Sequence, residues 1–149
     1  IVGIKRAVFF QIGDGAIIIA ENDSKEFSPV FWPQHGEFAN QTNFVVQDNI
    51  AEVLEFAAIP QQFDRVALFS DGLERLILDF SSRTAHAPSL QPIFSWLGTI
   101  EPSVIKAPSE VFTAYLNSDL INKRTDDDKT LIMATRRLHK DCHETAETV

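Results

Sequence analysis

Sulfur is scarce in this sequence: its 149 residues include one cysteine, Cys142, and one methionine. A single thiol excludes an internal disulfide framework, so a reducing, intracellular setting, the cytoplasm, is expected. Long apolar runs are missing as well. The longest, Ala16 to Ala20, is closed off by Gly15 and Glu21, far short of the roughly 20 residues that span a bilayer, and no membrane segment is expected. Basic charge is in the minority, with 13 Lys and Arg against 21 Asp and Glu for a formal net charge of -8. That balance argues against unspecific nucleic-acid binding, which needs a basic surface to neutralise phosphates. A phosphorylated substrate stays admissible, because bound divalent cations would invert the local field. The N-terminus has no basic stretch leading into an apolar one, so no signal peptide is visible. It has no initiator methionine either, and Ile1-Val2-Gly3-Ile4 reads as the inside of a strand. The expectation is a chain that begins partway through a larger domain.

What is present is ordinary for a globular protein, with 44% hydrophobic and 23% charged residues and enough length for one domain with a sizeable core. Residues 1–136 are expected to form that domain and 137–149 a polar, frayed tail. Lys5 to Ile12 and Ala16 to Glu21 are strand-like, and the Gly13-Asp14-Gly15 between them is a hairpin signal. Ser28 to Asn43 reads as a loop, Phe44 to Val46 as a short strand, and Ile50 to Ala58 as a brief helix capped by Asn49. Asp64 to Ser70 is a core strand that delivers Ser70-Asp71-Gly72, after which Leu73, Leu76, Ile77 and Phe80 recur at helical spacing. Ala87 to Leu97 and Pro108 to Ile121 are further helix candidates, Asn122 to Asp128 a charged loop, and Lys129 to Thr135 a closing strand. Strands and helices do not alternate regularly, which favours an α+β domain with mainly antiparallel sheet.

Asp14, Asp71 and the run Asp126-Asp127-Asp128 each stand at the end of an apolar strand. Converging carboxylates raise one another's pKa values unless cations neutralise them, and hard oxygen donors suit magnesium, manganese or calcium. Each cluster also has a plainer reading. Asp14 serves equally as a hairpin turn, Asp71 as a helix cap with Glu74 completing a capping box, and the 126–128 run as a solvated loop. His139, Cys142 and His143 lack a second ligand pair for zinc. Lys123 and Arg124 read as a charged helix end, and Trp32 and Trp96 as core or loop anchors.

The order of these motifs along the chain is more specific than any one of them. A strand–Gly-Asp-Gly–strand unit spans Val8 to Ile19, followed by Leu68-Phe69-Ser70-Asp71-Gly72-Leu73 and then by Asp127-Asp128-Lys129-Thr130. Together they resemble the C-terminal half of the metal-dependent serine/threonine protein phosphatases of type 2C. Gly36-Glu37-Phe38-Ala39-Asn40-Gln41-Thr42 is similar to a loop of the bacterial branch. The resemblance implies an antiparallel β-sandwich flanked by α-helices, here N-terminally truncated. It also implies two manganese or magnesium ions, with a third in some relatives, that activate a water against phosphoserine or phosphothreonine in proteins. Asp71 and Asp127 would be metal ligands, and Asp14 would join Asp71 at the third ion. Asp128 stands where the family usually has asparagine, so no ligand role follows for it. A phosphorylated protein, the substrate of a cognate serine/threonine kinase system, would be the partner. The family's phosphate-binding arginine, a further acidic ligand and a metal-bridging aspartate belong to an upstream half with no counterpart here, so little activity is expected of this chain alone. The alternative is a catalytically silent, phosphatase-like regulatory or phosphoprotein-binding module.

Overall fold

The computed structural model describes residues 1–21, 24–34, 42–101 and 106–137. The chain is a mixed α+β domain with antiparallel sheets, as the irregular order of strands and helices requires. In chain order the elements are β1 (Ala7–Gln11), β2 (Ala16–Ala20), β3 (Ser28–Pro29), α1 (Ile50–Val53), β4 (Glu55–Ile59) and β5 (Arg65–Phe69). A 3-10 turn (Asp71–Leu73) leads into α2 (Glu74–Ile77), β6 (Leu78–Asp79) and β7 (Thr84–Ala85). Then come α3 (Ala87–Thr99), α4 (Lys106–Leu116), α5 (Asp119–Asn122) and β8 (Leu131–Thr135).

The central sheet has the order β3-β2-β5-β8. Its middle strands are apolar at every paired position but Arg65, and β2 is buried along its whole length. Such a strand needs cover on both faces. On one face Ala16, Ile18, Ala67 and Phe69 pack with Leu73, Ile77, Leu90 and Phe94 from the helical layer. Ile18 and Leu90 are fully enclosed there, each worth about 1.5–3 kcal/mol of burial. On the other face Ile17, Ile19 and Val66 pack with Ala7, Phe9 and Phe63, the first two of these from β1, which pairs antiparallel with β4.

The Gly13-Asp14-Gly15 segment is not a hairpin turn. Among the described residues β1 pairs with β4, while β2 pairs with β3 and β5. Gly13, at φ 84°, turns the chain out of one sheet and into the other, using the same left-handed freedom that a hairpin would use. Phe44 to Val46 is an exposed turn rather than a strand, and no strand among the described residues pairs with it. The region read as one brief helix from Ile50 to Ala58 is a single helical turn followed by β4, where Phe9 and Phe10 of β1 supply partners for Ala57 and Phe56. Helical spacing from Leu73 to Phe80 likewise yields only one turn before β6 pairs with β7. The strands 65–69 and 131–135 and the helix from Ala87 lie where the sequence places them. The Gly36–Gln41 loop, His35 and the tail from Leu138, with His139, Cys142 and His143, lie outside the described residues.

Candidate metal centre

Register brings the three acidic motifs to one end of the central sheet. Ala16 faces Phe69 across β2 and β5, and Phe69 faces Leu131 across β5 and β8. The next residues beyond that row are therefore Gly15, Ser70 and Thr130, each directly beside an aspartate motif. The side chain of Ser70 stitches two of the motifs together. Its hydroxyl donates to the Asp128 carbonyl at 3.1 Å and accepts the Thr130 N–H at 3.0 Å, and the Ser70 N–H donates to the Thr130 carbonyl at 3.2 Å.

The glycines of the motifs make that approach possible. A Cβ on Gly72 would fall inside the contact distance of the Asp128 carbonyl oxygen and reach 3.4 Å from the Asp127 Cβ. Only a residue without a side chain lets the Ser-Asp-Gly turn lie flat against the Asp-Asp-Lys-Thr loop. A Cβ on Gly15 would stand 3.0 Å from the Phe69 carbonyl oxygen, so the Gly-Asp-Gly segment presses on the same strand end from the other side.

The plainer readings of the aspartates fare unequally. Asp79 shows what a turn aspartate does: its Oδ1 accepts from Ser81 N–H, Ser81 Oγ and Ser82 N–H, and these bonds lower its pKa to about 2. Asp14 accepts no such side-chain bond among the described residues, although it sits in a tight turn. Asp71 accepts its neighbour Gly72 N–H at 2.8 Å, and Asp127 accepts Asp128 N–H at 2.8 Å. The capping box expected for Asp71 is not formed, because Ser70 occupies the cap position and makes no side-chain cap bond.

Glu74, read from sequence only as the far end of that box, is instead 5% exposed. Burial above all, with the charges of Asp14 and Asp71 acting in the same direction, pushes its pKa up to about 7. Three carboxylates thus feel one another at this end of the sheet. The spacing Asp71-x-x-Glu74 carried the signal, but a capping box and a buried acid have the same spacing.

The donor set fits a hard divalent cation in kind, being carboxylate oxygens with mutual repulsion to relieve. It is incomplete in number: among the described residues no group of three or more His, Cys, Asp or Glu side chains lies close enough to hold a metal ion. Beside Asp127 and Asp128 opens a polar cleft of about 280 Å³, bordered by Thr113, Leu116, Asn117 and Lys129. Lys129 Nζ, at its edge, donates to Asn122 Oδ1 at 2.9 Å.

An α+β domain that gathers Gly-Asp-Gly, Ser-Asp-Gly and Asp-Asp-Lys-Thr on one rim defines a phosphatase-like class. The protein phosphatase 2C family profile matches residues 1–116, and the chain belongs to that family. It is similar to serine/threonine-protein phosphatase 3 of Escherichia coli (strain K12), with 32% identity over 127 residues. That alignment takes in 85% of this chain and 49% of the relative, so the chain spans about half the length of the protein it matches. Asp127 and Asp128 lie beyond the profile match, and it is the β5–β8 register that brings their loop to Ser70.

Proposed function

We propose that the chain is the C-terminal, metal-binding part of a bacterial-type serine/threonine phosphatase domain, residues 1–136, followed by a tail. It would hydrolyse phosphoserine or phosphothreonine in proteins once the domain is complete. The observation that supports this reading is the β5–β8 register, which brings Ser70 and Gly72, on either side of Asp71, against the Asp127-Asp128 loop. Asp71 and Asp127 would hold manganese or magnesium, and Asp14 would join Asp71 toward a further ion. A metal bound there would supply an activated water and neutralise phosphoryl charge. The chain's own residues fix the carboxylates: Ser70 ties the two loops, and Gly72 keeps them in contact. No helix among the described residues is long and apolar enough to cross a membrane; a cytoplasmic protein serving a serine/threonine kinase system is the setting proposed.

An apolar cleft of about 450 Å³ favours a second reading for the isolated chain, that of a module which docks another polypeptide. The cleft runs between β1, β5 and β8, with Val8, Phe10, Leu68 and Ala134 in its walls. The Asp64–Arg136 ion pair, at 2.9 Å, stands at its margin. The remainder of a type 2C domain, which the relative's length allows for, would fill it.

Turnover of a phosphoserine peptide in manganese is the test. The chain alone should show almost none. Mixing with the upstream half of the relative should restore turnover, and Asp71→Asn should remove it again. Robust turnover by the chain alone that is lost in Asp71→Asn overturns the two-part reading. Unchanged manganese binding in Asp71→Asn overturns the metal assignment.

A further inference from the structure

Beyond the aspartates, the rim of the central sheet continues on its β3 side. The Val30 N–H donates to the Ile17 carbonyl at 2.8 Å and the Gln34 N–H to the Gly13 carbonyl at 3.2 Å, which carries the β2–β3 pairing on to the Gly-Asp-Gly turn. Trp32 lies between those two bonds and is laid alongside the Asp14–Ala16 stretch. Across the rim the order is then Trp32, Gly-Asp-Gly, Ser-Asp-Gly and Asp-Asp-Lys-Thr. The β6–β7 hairpin folds onto Trp32. Phe80 meets the indole at 82°, 5.3 Å between centroids, and the Arg83 guanidinium stands over the same ring, 5.2 Å from its centroid. Arg83 is at φ 54°, a left-handed conformation that a residue with a Cβ disfavours. The turn around it holds it there: Asp79 Oδ1 accepts from the Ser81 and Ser82 N–H groups, and Ser82 Oγ lies 2.7 Å from Thr84 Oγ1. Glycine would sit at that position without strain, so the side chain is what the backbone strain retains. Among the described residues no carboxylate pairs with Arg83 and no hydrogen bond occupies its guanidinium. The ring steadies the cation but has no oxygen to take its fork of N–H donors, which keeps its capacity for a bidentate oxyanion.

We propose that Arg83, mounted on Trp32, is a specificity-determining residue that binds a carboxylate side chain of the substrate polypeptide, to one side of the residue that carries the phosphate. This rests on the reading of the chain as part of a protein phosphatase, and it calls on no bound metal. Distance decides which group of the substrate Arg83 takes. The Trp32 segment and β5 lie on opposite sides of β2. Neighbouring strands are about 4.8 Å apart, so Trp32 stands about 10 Å from the line of Ser70 and Asp71. A phosphoryl group at the Ser-Asp-Gly turn is that far away, and an extended peptide covers the gap in about three residues. Charge points the same way. A net charge of -8 repels an acidic segment on average, so a cation with no acid beside it is where such a segment gains most.

The test uses the 149-residue chain and a pair of phosphoserine peptides. One carries glutamate at the third residue on either side of the phosphoserine, and the other carries glutamine at both places. Binding is read by NMR at low salt, where an ion pair is least screened, with the Trp32 indole N–H as the reporter of the site. The glutamate peptide should bind about five-fold more tightly than the glutamine peptide and should shift the Trp32 indole signal. Arg83→Gly removes the cation at a φ that glycine adopts freely, so the fold should be kept and the preference abolished. Arg83→Asn, a residue that also tolerates this φ, should do the same. A preference that survives in both variants overturns the proposal, as does one that leaves the Trp32 signal unmoved in the parent chain. If Arg83→Gly weakens both peptides alike, the phosphate itself sits on Arg83 and the flanking role is overturned. If the parent binds the two peptides equally, the phosphopeptide reading of the rim stands and Arg83 alone is excluded. If it binds neither, that reading fails and the role of Arg83 fails with it.

Discussion

The two faces of the central sheet are finished to different degrees. On the helical face the row Ala16–Phe69–Leu131 and its neighbours are closed over by Leu73, Ile77, Leu90 and Phe94. On the opposite face the row Ile17–Leu68–Ile132 runs from 7% to 38% to 58% exposed as it leaves the cover of β1. Sequence does not distinguish these rows, since both are apolar. The difference lies in what is laid over them: the 3-10 turn, α2 and α3 on one side, and on the other a two-stranded ribbon that covers β2 and Val66 of β5. The outer side of that ribbon repeats the pattern, with Phe10 and Phe56 tilted at 54° to each other, 5.1 Å between centroids, yet more than half exposed. Apolar surface of this extent is a docking surface or an aggregation hazard.

The largest effect should come from the finished face. Leu90→Ala removes a side chain with no solvent contact from a layer that cannot collapse freely, and should cost about 2–5 kcal/mol in urea unfolding. A loss below about 1 kcal/mol would mean that the helical layer is as loose as the open one.

Next in size is Gly72→Ala, at the rim where the two faces meet. The added methyl group would collide with the Asp128 carbonyl, and backbone is less able to yield than a side chain. A cost of about 1–3 kcal/mol is expected, with weakened manganese binding, because relief of the clash moves Asp71 away from Asp127. Lower stability with manganese binding intact would show that the two loops need not touch.

How much of this was legible in the sequence depends on whether a feature is local. The strand from Arg65 to Phe69 and the Ser-Asp-Gly after it form from neighbouring residues, and the helix from Ala87 carries Pro88 in its first turn, where no hydrogen bond is lost, although Pro92 lies inside it. The Gly13-Asp14-Gly15 turn was legible as a turn, but not as a change of sheet. Positive φ at a glycine serves a hairpin and a crossover alike, and only the distant β4 decides between them. Phe44-Val45-Val46 has strand composition, but pairing is a tertiary event and no strand among the described residues pairs with it. The burial of Glu74 among Asp14 and Asp71 leaves no mark in local spacing either. The acidic motifs themselves were legible because their order along the chain is unusual, even though each alone is common.

Glu74 gives the third prediction, on the buried side of the rim. Its carboxyl ordinarily titrates at 4.5, and the folded chain holds its proton up to about 7. Between those values the native state binds more protons than the unfolded state. The contribution is therefore full below about pH 4.5 and is lost as pH rises through 7. Glu74→Gln should raise stability at pH 8 by about 1–2 kcal/mol, after allowance for screening at the rim. It should also flatten the fall in melting temperature between pH 5 and about pH 7. A slope unchanged by the substitution would place the proton elsewhere.

The smallest effect should come from the open face, and its smallness is informative. Ile132 lies in the edge strand β8, on the row that β1 does not reach. Its side chain has little contact to lose, so Ile132→Ser should change unfolding free energy by no more than about 0.5 kcal/mol. The same substitution should reduce binding of a dye that reports exposed apolar surface, because it removes part of a patch that water already touches. Leu68→Ser, one strand inward at 38% exposed, should fall between Ile132→Ser and Leu90→Ala. The three variants then trace the edge of the cover by their rising cost. If Ile132→Ser proves as destabilising as Leu90→Ala, the second face is closed in solution by another surface. The concentration dependence of that cost would then tell whether the cover is a second copy or a segment of the same molecule: cover by a second copy weakens on dilution, and cover by the chain itself does not.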